Sequence, residues 1–283
     1  MLNCLPPHLW FEYQSPIWRF SLEDVRSDFE RNSKKVHPAI FPRVLARRII
    51  ETFSHRGETV VDVFSGVGTA LVAASELGRS AIGFELNPHY VALARRRLAY
   101  IRDLQGSRIK VGDGEKLIRR SAVRSVQLKA DARFLTDHIP QNSIDLVLTS
   151  PPYWDLLKQR PSSRNKSRGK YLKKNYSKDS RDLSNQPTLK CFLSEMSGIF
   201  SQIHQVLKPG KRFVLITGDY RRQGQYIPLH AIYIKTLADI GLELNNIMLW
   251  DRCREYDVGL YSYPHRFIAV NGMIEYVMEF VKD

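Results

Sequence analysis

Residues 59–77 read TVVDVFSGVGTALVAASEL, and the grouping of those residues decides the architecture. The run Thr59 to Phe64 is apolar and rich in β-branched side chains, which suit a pleated, buried strand. It passes directly into Ser65-Gly66-Val67-Gly68, and then into Thr69 to Leu77, a run of strong helix formers stopped by Gly78. This is a strand, a glycine turn and a helix. Ser80 to Glu85 is a second apolar strand ending on an acid, and Asn87-Pro88 supplies the N-cap and first position of a helix over Pro88 to Asp103. The alternation continues with strands over Val126 to Ala130 and Ile144 to Thr149, then a helix over Leu189 to Leu207 stopped by Lys208-Pro209-Gly210. A strand over Arg212 to Thr217, a helix over Pro228 to Ile240 and a strand over Leu242 to Trp250 follow. The apolar ending, Phe267 to Val270 and Ile274 to Val281, flanks the hairpin-type pair Asn271-Gly272. The expected fold class is α/β, a doubly wound, mostly parallel sheet with a C-terminal antiparallel hairpin.

In such sheets ligands sit beyond the carboxyl ends of the strands, where the strand order reverses. The turn from Asp62 through Val63, Phe64, Ser65, Gly66, Val67 and Gly68 to Thr69 lets backbone approach a ligand where a side chain would block it. A tight strand-to-helix turn with no ligand is the plainer alternative. Leu71 stands where the dinucleotide pattern has its third glycine, which argues against a nicotinamide or flavin cofactor. Glu85 is placed to accept hydrogen bonds from two ribose hydroxyls, or to serve as an N-terminal helix charge.

The most informative segment is Ile144 to Trp154, in which the strand runs straight into Ser150-Pro151-Pro152-Tyr153-Trp154. Two prolines end a strand and stiffen the turn after it. The Ser150 hydroxyl and the Pro151 carbonyl can together accept both protons of an amino group, and Tyr153 offers a flat face on which a base stacks. Closing a sheet edge would be the plainer use of such a turn.

The chain has 283 residues and a formal charge of +14. That charge favours a polyanionic partner, because lysine and arginine release counterions from phosphates. It is concentrated: the segment 155–187 carries many cations, few acids and the interleaved Tyr171 and Tyr176, and reads as a basic loop insertion that meets phosphates. Residues 1–35 read as an N-terminal arm whose Trp10, Phe11, Tyr13, Trp18 and Phe20 either pack or line a base-binding surface, packing being favoured. Cys4, Cys191 and Cys253 lack metal-ligand or disulfide-framework spacing and read as reduced, structural residues, so no metal is expected. No run of apolar residues is long enough for a membrane span, and the expectation is an intracellular, cytoplasmic protein associated with the nucleoid.

Phe64-Ser65-Gly66-Val67-Gly68 followed by Ser150-Pro151-Pro152-Tyr153 resembles the DNA amino-methyltransferase family that acts on cytosine or adenine. The resemblance covers most of the chain. It implies a Rossmann-like class I methyltransferase domain over residues 1–283, S-adenosyl-L-methionine as cofactor and double-stranded DNA as substrate. His37-Pro38-Ala39-Ile40-Phe41-Pro42 resembles the family's additional cofactor motif, Glu85 its ribose-binding acid, and Asp131 the acid that binds the cofactor's adenine, with Asp113 as rival. The implied cofactor residues are therefore His37, Phe41, Asp62, Phe64, Gly66, Gly68, Thr69, Glu85 and Asp131, and the implied catalytic residues Ser150, Pro151, Pro152 and Tyr153. Glu275 to Phe280 resembles the family's terminal strand. Val63 stands where the family usually has proline, a change expected to alter only the stiffness of the turn. The motif order leaves no long segment for a separate target-recognition domain, so specificity is expected in 155–187 together with Arg221-Arg222-Gln223-Gly224 and Arg252 to Arg266.

Serine at the head of the tetrapeptide resembles the N4-cytosine enzymes, whereas adenine enzymes more often carry aspartate. Methylation at carbon 5 would need a cysteine nucleophile in a Pro-Cys setting, and none of the three cysteines follows a proline. The reading is a site-specific cytosine-N4 DNA methyltransferase acting on a flipped-out base, in a restriction-modification setting with a cognate endonuclease as possible partner. The alternatives are an N6-adenine enzyme, an RNA base methyltransferase, and an inactive nucleic-acid-binding protein.

Overall fold

Trp18 shows how the N-terminal arm is used. Pro6 and Pro7 start a short helix, α1 (Pro7–Tyr13), and strand β1 (Ile17–Trp18) then lies along an edge of the main sheet with Trp18 and Phe20 buried. Among the described residues of the arm, Trp18 and Phe20 pack, while Phe11 stays 85% exposed. The computed structural model describes residues 3, 5–21, 40–104, 108–111, 114–117, 123–154, 179–252 and 274–283.

Helix α2 (Arg43–Phe53) follows Pro42 and buries Leu45, Ala46, Ile49, Ile50 and Phe53, the spacing of one helix face. Strand β2 (Thr59–Asp62), helix α3 (Thr69–Glu76), strand β3 (Ser80–Glu85) and helix α4 (Pro88–Leu104) come next. They match the expected boundaries within a residue or two. A hairpin of β4 (Arg108–Val111) and β5 (Gly114–Leu117) stands apart from the main sheet, ahead of β6 (Ser125–Lys129), a short 3-10 segment (Ala132–Asp137) and β7 (Ile144–Thr149). Helix α5 (Leu189–Val206) buries Phe192, Met196, Ile199, Phe200, Ile203 and Val206, each worth about 1.5–3 kcal/mol of burial. Strand β8 (Leu207–Thr217), the hairpin β9 (Tyr220–Arg222) and β10 (Gln225–Ile227), helix α6 (Leu229–Ala238), and strands β11 (Leu242–Asp251) and β12 (Ile274–Lys282) complete the described fold.

The sheet order is β1-β11-β12-β8-β7-β2-β3-β6. Only β12 opposes its neighbours, so the sheet is mostly parallel, as expected. The chain winds outward from β2 through β3 to β6 and then returns to β7 on the other side of β2. The order therefore reverses between β2 and β7. One face packs on α5 and α6, and the other on α2, α3 and α4 with Trp18.

Two expectations, the start of β8 and the packing of Cys191, need correction. The C-terminal antiparallel pair is β11 with β12, and β12 is flanked by β11 along its length and by β8 from Tyr276 onward; Asn271-Gly272 lies outside the described residues. Residues 267–270 lie outside the described residues. Strand β8 begins at Leu207 rather than Arg212, because Lys208 to Lys211 are absorbed in a register shift against β7, with Gly210 at φ +70°. Finally, Cys191 is free but exposed on α5 rather than packed. Cys4 and Cys253 lie outside the described residues, among which no helix is long and apolar enough to cross a membrane.

Candidate active site

Asp62 and Thr149 are the last residues of β2 and β7, the two strands that bracket the reversal. Thr149 Oγ1 donates to Asp62 Oδ1 at 2.6 Å and the Phe64 amide donates to the same oxygen at 3.1 Å, so the strand ends are cross-linked under the glycine turn. Burial pushes the Asp62 carboxyl up to about 7, with the bonds from Thr149 and Phe64 pulling the other way. Asp62 does not line the cleft above it; it fixes the platform. Gly68 likewise lies outside the lining. Its φ of +77° makes it the left-handed N-cap of α3, and an added Cβ would stand 2.9 Å from the Ala94 Cβ. The second glycine therefore serves the packing of α3 on α4, whereas Gly66, at φ +50°, faces the cleft. From behind, Arg97 Nη1 donates to the Val67 carbonyl at 2.7 Å and holds the turn.

The cleft has a volume of about 930 Å³ including its mouth and opens beyond the carboxyl ends of β2, β3, β6 and β7. Phe64, Gly66 and Thr69 of the glycine turn line it together with Ile40 and Phe41 ahead of α2 and with Glu85, Leu86 and Tyr90 after β3. Glu85 Oε1 accepts from the Asn87 amide at 2.7 Å. Burial pushes its carboxyl up to about 7; the Asn87 amide opposes this, and the nearby Asp182 carboxylate adds to it. Tyr90 is 1% exposed, and burial together with Glu85 and Asp182 raises its hydroxyl to about 12, so it stays protonated. Asp131 lines the cleft between Ala130 and Ala132 as the N-cap of the 3-10 segment, accepting from the Arg133 amide at 3.0 Å. Arg133 Nη2 also pairs with its Oδ2 at 2.7 Å.

Ser150, Pro151 and Pro152 enter the same cleft directly from β7. Trp154 anchors the turn: it is 3% exposed, its Nε1 donates to the Gln186 carbonyl at 2.8 Å, and the Arg222 guanidinium lies 4.2 Å from its ring centroid. Tyr153 is half-buried and outside the lining of the cleft, with its hydroxyl 3.2 Å from where a Cβ on Gly218 would stand.

The structure thus gathers Phe41, Phe64, Gly66, Thr69, Glu85, Asp131, Ser150, Pro151 and Pro152 in one cleft, and sets Asp62, Gly68 and Tyr153 around it. His37 and Asp113 lie outside the described residues. Sequence reasoning missed Tyr90, Asp182 and Leu183. Tyr90 sits in the first turn of a helix already placed after Glu85, a signal that could have found it. Asp182 and Leu183 were read as part of the basic loop 155–187, but Asp182, Leu183 and Ser184 are buried: Asp182 Oδ1 accepts from the Ser184 amide at 2.9 Å and Leu183 joins the core. Residues 155–178 lie outside the described residues.

The model of the N6/N4 DNA methylases matches residues 10–96 and 144–283. The chain belongs to this DNA methylase family. Among similar proteins, the type II methyltransferase M.BglI of Bacillus subtilis is 40% identical over 77 residues, 26% of this chain and 22% of that protein. M.SmaI of Serratia marcescens, also a type II methyltransferase, is 44% identical over 62 residues, 22% of this chain and 21% of that one. The alignments thus span less than a quarter of either relative. Among solved structures, TrmN from Thermus thermophilus superposes with a TM-score of 0.48 at 18% identity, over 89% of this chain and 52% of that one.

S-adenosylmethionine is the cofactor that goes with this DNA methylase family and fold. The cleft fits it on its own chemistry. The cofactor carries a sulfonium and an ammonium group, and the cleft presents the carboxylates of Glu85, Asp131 and Asp182. It carries an adenosine, and the cleft offers apolar walls from Phe41, Phe84, Leu86 and Leu183 with an acid at the end of β3 for ribose hydroxyls. Asp131 falls between the two matched stretches, so its place in the cleft is the observation that joins it to the site.

Proposed function

We propose that this chain transfers a methyl group from S-adenosylmethionine to the N4 amine of cytosine in double-stranded DNA. The observation that carries the reading is the shared cleft: Ser150, Pro151 and Pro152 line the same cavity as Gly66, Glu85 and Asp131. A donor group and an amine presented at the tetrapeptide would therefore meet without either crossing protein.

An aromatic amine is a poor nucleophile because its lone pair is delocalised into the ring. By accepting its two N–H groups, the Ser150 hydroxyl oxygen and the Pro151 carbonyl favour a pyramidal nitrogen and turn its lone pair toward the methyl group. Pro152 stiffens the turn that holds them. S-adenosylmethionine held among Phe41, Glu85 and Asp131 would supply an electrophilic methyl carbon, the S–C bond breaking with its electrons left on sulfur as the N–C bond forms. The methylated amine then releases one proton to water. The task is one of orientation and electrostatics, with no covalent enzyme adduct. Since a duplex hides the amine, the base is flipped out and its ring meets Tyr153, outside the cofactor-lined part of the cleft.

In this reading residues 1–283 form one methyltransferase domain with the arm 1–35, and the basic stretch 155–178 grips the backbone of the displaced strand. Serine at position 150 is what favours cytosine over adenine. The similarity to type II methyltransferases supports a restriction-modification setting, with a cognate endonuclease as partner and an intracellular, nucleoid-associated location.

Tyr153→Ala tests the division of labour. Methyl transfer to duplex DNA is expected to fall by about 10- to 100-fold, the range set by loss of one stacking contact, while affinity for S-adenosylmethionine stays within about twofold. An equal loss of cofactor affinity would refute it.

A further inference from the structure

The β9–β10 hairpin stands directly beside the Ser-Pro-Pro-Tyr turn, since β8 and β7 are neighbours and end at the same edge of the sheet. Arg222 of the hairpin lies over Trp154, and just ahead of the hairpin a Cβ on Gly218 would stand 3.2 Å from the Tyr153 hydroxyl. Its central residues Gln223 and Gly224 both have positive φ, 49° and 82°, the conformation of a tight two-residue turn that follows the strand twist. The tip is therefore a defined element rather than a loose loop.

Its exposed residues run from Gln223 to Tyr226, and Tyr226 is 46% exposed. An exposed aromatic ring is ordinarily free to swing, but this one is held. Tyr226 Oη donates to Asp219 Oδ2 at 2.6 Å, and the Arg221 guanidinium lies 5.3 Å from the ring centroid. Asp219 is itself fixed: its side chain is 5% exposed and accepts from the His230 amide at 3.2 Å, with His230 Nδ1 2.7 Å from Oδ2. The His230 ring in turn stacks on Tyr276 at 4.0 Å between centroids and 15° between planes. A chain of contacts from α6 and β12 thus holds one exposed phenol ring in place. Such preorganisation lowers the ordering cost of a stacking contact.

We propose that the β9–β10 hairpin is a DNA-contacting element, in which Tyr226 stacks on a base flanking the flipped-out target and Asp219 is the positioning residue that holds the ring. This rests on the reading of the chain as a DNA methyltransferase. Duplex DNA is favoured as the occupant by the charge of +14 and by the hairpin's place beside the amine-binding turn. The amides of Gln223 and Gln225 can hydrogen-bond base edges, and the ring offers the π-face that every base can stack on.

The test compares the native protein with Tyr226→Ala and Tyr226→Phe, measuring kcat and KM for mixed-sequence duplex DNA and, separately, S-adenosylmethionine affinity. Tyr226→Ala is expected to raise the KM for DNA about tenfold with kcat and cofactor affinity unchanged, and Tyr226→Phe, which keeps the ring and loses the tether, only about threefold. A KM within twofold of native for Tyr226→Ala, or a fall in kcat at constant KM, overturns the hairpin's role and leaves the methyltransferase reading standing. A native protein that neither binds nor methylates duplex DNA overturns both.

Discussion

At Glu85 a single carboxyl carries two demands: burial near Asp182 favours the protonated acid, whereas its proposed role, accepting hydrogen bonds from the cofactor's ribose hydroxyls, favours the carboxylate. With the free group titrating at about 7, cofactor binding below that pH must expel a proton. Affinity for S-adenosylmethionine should therefore rise with pH by up to about tenfold per unit below the midpoint and level off above it. Calorimetry from pH 5.5 to 8.5 checks this; Glu85→Gln should bind more weakly and lose most of the slope, and an unchanged slope would assign the proton elsewhere. Residue by residue, the site was legible where a side chain follows a strand end. Glu85, Ser150 and Pro151 belong to that group, because a strand delivers the next residue to a predictable place. Arg133 beside Asp131 and Asp182 opposite Glu85 were not legible: one is a pairing chosen in three dimensions, and the other comes from a distant segment whose charge pattern masked its burial.

The elements show the same division. The turn from β2 to α3 was readable because glycine, β-branched and helix-forming residues each favour one local conformation. What the sequence did not disclose is why Gly68 is there. Its left-handed φ and the 2.9 Å approach to the Ala94 Cβ make it a packing residue for α3 against α4. Gly68→Ala should destabilise the protein by about 2 kcal/mol or more, as the left-handed conformation costs about 1–2 kcal/mol and the contact adds to it. Gly57, at φ +86° with open space around it, provides the comparison: its alanine variant pays the conformational term alone. Urea titrations of both variants check the difference, and equal losses would show that packing on Ala94 contributes nothing. The terminal strand shows the converse case, since its own residues do not say which strands it joins, and β12 takes β11 and β8 as partners across the sheet. The β9–β10 hairpin was not anticipated as an element at all, because three-residue strands leave too little periodicity to read.

For the whole molecule, a mostly parallel sheet reverses its order between β2 and β7, and Gly66, Glu85 and Asp131 meet Ser150, Pro151 and Pro152 in one cleft beyond that reversal. The fold suits the proposed methyl transfer to an amine but is indifferent to which base carries it; in the proposed reading that choice rests on Ser150 and on the elements around Tyr153. The most direct test of the central claim is mass spectrometry of the nucleosides after the purified protein is incubated with labelled S-adenosylmethionine and mixed-sequence duplex DNA. The account predicts labelled N4-methylcytosine. N6-methyladenine in its place would contradict the assignment of cytosine from Ser150, and the absence of any labelled nucleoside from DNA would contradict the proposed function itself.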